Sequence, residues 1–168
     1  LFVAMIVACI PTTKLSLMIE GEGIGTATNT GTAMAVYSVG TMLGSAAFGY
    51  MKKAVGTYVL PLSYFFNGAG FFGVAMSHSL MAVIMFLMLA GFGTGALLFA
   101  YLARAEELSR LAYVAFSVSM MAAANGLGNF IHPTFVSLCD SLFGGVYGRG
   151  AIKASGVSLA AMGMILLI

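Results

Sequence analysis

Strongly polar side chains are scarce in this sequence and stand out against an apolar background. Lys14 falls inside a long apolar run. An ionisable residue in such a run is a functional candidate, because an ammonium can hold an anionic group and loses its proton readily when desolvated. The bland account is that its stem lies along apolar surface while the charge stays in water, and Lys153, at a similar depth in another run, fits that account too. Asn125, Asn129 and His132 follow one another at i, i+4 and i+7, which sets all three on one helix face. Two amides and an imidazole are costly in apolar surroundings without partners. That face therefore borders a wet pathway, with His132 able to titrate, or binds a neighbouring helix through its amides. Pro133 frees a carbonyl one turn earlier. Tyr37 and Thr41 share a face with Thr30 and Gly44 and could hydrogen-bond a polar solute, although Thr also bonds its own backbone. Met81, Met85 and Met88 form a stripe suited to packing. Glu106 and Glu107 stand between Arg104 and Arg110, either as a solvated cluster of little energetic weight or as a latch.

Most other chemistry is excluded. Cys9 and Cys139 belong to no CxxC or Cys/His cluster, so metal and redox readings have no support, and no cofactor is expected. There is no GxSG or GxGD, Asp140 is the only aspartate, and Gly156-Val-Ser158 is a partial match with nothing beside it. The chain is not expected to be an enzyme. No GxxxxGK[ST] phosphate loop is present, no TVGYG-like filter and no arginine ladder. A formal net charge of +2, widely scattered, is too little for a nucleic-acid footprint.

The elements that must position these residues follow from composition. Hydrophobic residues make up 61% and charged residues 7%, against roughly a quarter charged in soluble domains. The expected solvent is lipid. A membrane helix needs about 20 mainly apolar residues, and six segments meet that length, at about 1–19, 28–51, 57–77, 80–103, 111–138 and 150–168. Of the twelve charged side chains (7 basic, 5 acidic), Glu20, Glu22, Lys52, Lys53, Arg104, Glu106, Glu107, Arg110, Asp140 and Arg149 fall between segments, leaving only Lys14 and Lys153 inside. The expected fold is an all-α integral membrane protein, a single bundle of six transmembrane helices. Gly40-Thr-Met-Leu-Gly44 and Gly91-Phe-Gly-Thr-Gly95 have the small-xxx-small spacing that lets two helix backbones approach closely. Both ends of the chain lie in apolar runs, which reads as a fragment of a longer protein. Lys52, Lys53, Arg104 and Arg110 on one side favour cytoplasmic ends by the positive-inside rule, in a multi-pass cell-membrane protein.

From Gly31 to Gly56 the sequence resembles the second helix of a major facilitator superfamily half and the loop after it. The family's loop motif runs G-x-x-x-D-x-x-G-R-[RK]. Gly49 and Gly56 keep the glycine spacing and Lys52 and Lys53 supply basic charge, but Lys53 stands at the acidic position and Thr57 at the arginine. Decay of this kind is typical of the family's C-terminal half. Pro11–Gly25 resembles the seventh helix, Gly91–Gly95 the tenth and Gly126–Pro133 the eleventh. The resemblance implies one bundle of a two-bundle secondary transporter that moves a small solute by alternating access, ion- or proton-coupled, with the lipid bilayer, an absent N-terminal half and the solute as partners. The rival class is a six-helix channel or another non-enzymatic membrane protein.

Overall fold

The computed structural model describes residues 2–108, 114–143 and 148–166. Every regular element among them is helical: α1 (Phe2–Gly21), α2 (Ala27–Val55), a 3-10 turn (Gly56–Tyr58), α3 (Val59–Met76), α4 (Leu80–Leu108), α5 (Val114–Phe143) and α6 (Arg149–Ile165). Short connections make successive helices run in opposite senses. Gly56, in the left-handed region at φ 61°, ends α2 and donates its N–H to the Lys52 carbonyl, a standard way to satisfy an orphan carbonyl at a helix C-terminus.

The packing has an internal symmetry. α2 lies on α4 as α5 lies on α1, α3 lies on α4 as α6 lies on α1, and α3 meets α6. Exchanging α1–α3 with α4–α6 leaves this pattern unchanged. The correspondence is one of helix order, since α4 meets α2 and α3 far more extensively than α1 meets α5 and α6. The apolar core follows α3, α4, α1 and α6, with Phe71, Leu87, Leu15, Ile19 and Ile152 fully buried. α5 contributes little to it: Phe116, Met120, Leu127 and Phe130 are exposed, and Val136 is its one buried hydrophobic residue among the described side chains.

α2 and α4 cross in backbone contact. A Cβ at Gly44 would overlap the Phe92 carbonyl oxygen, and one at Gly95 would overlap that of Thr41. The two small-xxx-small stretches thus meet one another, so each helix surface is backbone at the crossing. Close packing, rather than burial of large side chains, holds this seam.

Six membrane spans are not what the structure shows, and the expected six-span facilitator bundle is corrected accordingly. Two helical stretches among the described residues are long and apolar enough to cross a membrane, Ala27–Met76 and Leu80–Glu107. The first contains α2, the break at Gly56 and α3. Both pass by length and composition alone, and a buried core helix of a soluble protein passes the same test. Among the other helices, α6 falls short by its length. α6 has 17 residues, about 26 Å at 1.5 Å per residue against a hydrocarbon core of about 30 Å, and it opens on Arg149.

Gly44→Ala or Gly95→Ala is expected to destabilise the fold by about 1–3 kcal/mol, because the added methyl meets backbone that cannot turn aside. Gly49→Ala, at a helix position with nothing within 4 Å of the new Cβ, should be neutral or stabilising by up to about 1 kcal/mol. Thermal unfolding of the three purified variants checks this; equal losses at all three positions would show that the crossing is not tight.

Candidate functional site

At the crossing of α2, α3 and α4, three polar side chains converge. The Tyr37 hydroxyl donates to Thr94 Oγ1 at 3.0 Å and the Asn67 amide donates to the same oxygen at 2.9 Å, while Thr94 donates onward to the Ala90 carbonyl at 3.0 Å. Thr94 can stand here because Gly93 and Gly95 on either side bring α4 against the backbones of α3 and α2. The Tyr37 ring stacks on Phe71 at 6.3 Å, which fixes the direction of its hydroxyl. Asn67 is fully buried, yet its Oδ1 has no hydrogen-bond partner. An orphaned buried acceptor costs about 1–3 kcal/mol, and such groups in native folds usually mark a function or an absent partner. The arrangement offers an unused acceptor beside two hydroxyls, a set suited to a small group bearing N–H or O–H donors.

This cluster lies where the two three-helix units meet, since α2 and α3 belong to one and α4 to the other. Of the residues singled out in the sequence, it contains only Tyr37. Thr41, one turn away, donates to the Tyr37 carbonyl at 3.0 Å, so its proton is used within its own helix. Asn67 and Thr94 were missed. Both had a signal: Asn67 is the one amide in the apolar segment of α3, and Thr94 is the polar residue in Gly91–Gly95. Just below, the Tyr64 and Tyr101 hydroxyls bond one another across α3 and α4 with their rings edge to face.

One end of the bundle is closed by Arg149. Its Nε donates to Glu22 Oε1 at 2.7 Å and its Nη2 to Glu22 Oε2. Nη1 also reaches the Ala75 carbonyl at 2.8 Å and Nη2 the Ser77 carbonyl at 2.8 Å. One guanidinium thereby joins the last turn of α1, the end of α3 and the start of α6. Both side chains are largely buried, at 13% and 19% exposure, and the fork geometry of arginine suits two carboxylate oxygens at once. Gly148, just before α6, is left-handed at φ 78°, and a Cβ there would meet the stem of Lys14 at 3.0–3.2 Å. The half-buried Lys14 stem therefore runs toward this same end.

At the opposite end Glu107 bridges Lys52 Nζ at 3.0 Å and Arg104 Nη1 at 3.1 Å, all three exposed. Lys53, Gly49 and Gly56 are exposed beside it, so the loop-motif residues surround this ion pair. Glu106 is exposed as well, and Arg110 lies outside the described residues. The side chains of Asn125, Asn129 and His132 also lie outside what is described; their backbone belongs to α5. Among the described residues, no three His, Cys, Asp or Glu side chains come together. Compared with protein families and with curated proteins, the chain finds no match.

Arg149→Gln is expected to cost roughly 2–4 kcal/mol, since it strands a mostly buried carboxylate and two carbonyls, whereas Glu107→Gln, in an exposed and solvent-screened pair, should leave stability nearly unchanged. Denaturant unfolding of both variants, with a Glu22→Gln/Arg149→Gln double variant to isolate coupling, checks the contrast. Equal effects at the two ends would contradict it.

Proposed function

We propose that this chain is a membrane transport protein and that a small polar solute binds at the Tyr37–Asn67–Thr94 cluster, donating a hydrogen bond to Asn67 Oδ1. The carrying observation is that buried, unpartnered oxygen beside two hydroxyls. All three residues belong to the two stretches able to cross a membrane: Tyr37 and Asn67 to Ala27–Met76, and Thr94 to Leu80–Glu107. Polar groups within apolar spans are costly and usually functional. The matching helix order of α1–α3 and α4–α6 supports the reading, because many secondary transporters are built from repeated units and bind solute between them. So does the resemblance of Gly31–Gly56 and Gly91–Gly95 to major facilitator helices. The six-span bundle of that family forms no part of the proposal. The solute is a molecule with hydroxyl, amide or ammonium donors, and the surrounding solvent is the bilayer.

The test uses full-length chain in sealed vesicles, with Cys9 and Cys139 replaced by serine and Thr94→Cys introduced. An impermeant thiol reagent should modify Thr94→Cys from at least one side, and one class among added sugars, amino acids and amides should slow that reaction. Asn67→Leu, expected to alter stability by no more than about 1 kcal/mol because it removes the orphaned acceptor together with its bond, should abolish the protection. A folded protein whose Thr94→Cys is inert from both sides, or is never protected, would leave the cluster as interhelical glue and end the transport reading.

A further inference from the structure

A cavity of about 470 Å³ opens where α2 and α4 end and α3 begins, beyond the polar cluster and toward the end opposite Arg149. Its lining is mostly apolar, from Phe48, Leu60, Pro61, Ala100 and Leu166, and Lys52, Arg104 and Glu107 line it too. The geometry points to a binding site for an anionic phospholipid, with its phosphate between Lys52 and Arg104 and the start of an acyl chain against the apolar walls. The volume falls within the range of about 300–1,000 Å³ usual for small-molecule sites.

Three features favour that occupant. First, the two cations are already spaced to share one anionic group, because Glu107 bridges them at 3.0 and 3.1 Å. The carboxylate fills the place a phosphate would take. Second, α3 starts at the cavity, with Val59, Leu60 and Pro61 on its lining, so the positive end of that helix dipole adds to the attraction. Third, most of the lining is apolar surface that a free anion leaves unused, whereas a lipid satisfies the charges and that surface at once. Basic pockets between membrane helices take anionic headgroups on the same grounds. Lys52, Arg104 and Glu107 sum to one net positive charge, and Glu107 competes with the ligand. Removing the carboxylate should therefore strengthen binding, an effect that a merely structural ion pair would not produce. The site stands independently of transport, since its occupancy is read as mass and not as solute movement.

The test is native mass spectrometry of the full chain titrated with three probes: dioctanoyl phosphatidylglycerol, dioctanoyl phosphatidylcholine and inorganic phosphate. One phosphatidylglycerol should bind per chain at concentrations where the other two do not, and binding should weaken as salt rises. Glu107→Gln should tighten it by roughly threefold to tenfold, in line with the modest worth of an exposed pair. Lys52→Gln and Arg104→Gln, each confirmed folded by its melting temperature, should each weaken it by at least a similar factor. Equal binding of the two lipids would reduce the cavity to an apolar cleft and overturn the proposal. So would phosphate binding as well as the lipid, or a Glu107→Gln affinity at or below that of the unaltered chain.

Discussion

The backbone-to-backbone crossing of α2 and α4 is the constraint on which the rest of the structure depends. With glycine on both helices, Phe92 and Thr41 carbonyls occupy space that side chains would otherwise hold. That proximity brings Thr94 within hydrogen-bonding distance of Tyr37. Gly93 extends the effect to the third helix, where α4 meets the backbone of α3 near Asn67. A chain of larger residues here would push the helices apart by the width of a side chain, and the three polar groups would no longer share one oxygen. Small residues therefore determine the position of the polar ones.

The two ends of the bundle divide electrostatic work unequally. Arg149 and Glu22 are withdrawn from water and bound on several sides, so their geometry is fixed and their loss leaves stranded charge. Lys52, Arg104 and Glu107 stay in solvent, where pairing is weak and exchangeable. A fixed end and a labile end suit a fold in which one side is anchored and the other can respond to an ion or a headgroup.

Helical character was legible in the sequence, because long apolar runs separated by charge have few alternatives, and the glycine spacing correctly indicated close backbone approach. Membrane crossing was less legible. By sequence alone Lys14 falls inside a span and Glu20 and Arg149 between spans, but the structure carries α1 through Glu20, makes Arg149 the first residue of α6 and packs the Lys14 stem near Gly148. Tyr37 stood out in the sequence by its helix face, whereas Asn67 and Thr94 did not, since a lone amide or hydroxyl has no periodic partner along its own helix. Their meaning depends on neighbours supplied by other helices. The Glu22–Arg149 pair was hidden for the same reason, although an alternating helix order sets those two loops on one side.

That pair spans 127 positions in sequence, which bears on how the chain assembles during synthesis. The crossing of α2 with α4, and α3 with both, is complete in sequence by Leu108, so these helices can dock while the remainder is still being made. Glu22 at the end of α1 has no guanidinium to meet until α6 emerges. Through that interval the α1 terminus and the α3 carbonyls must remain hydrated or be shielded by another protein. The ribosome thus delivers the crossing of α2, α3 and α4 first and the Glu22–Arg149 clasp last, and a chain released before residue 149 would keep its crossing but leave that end open.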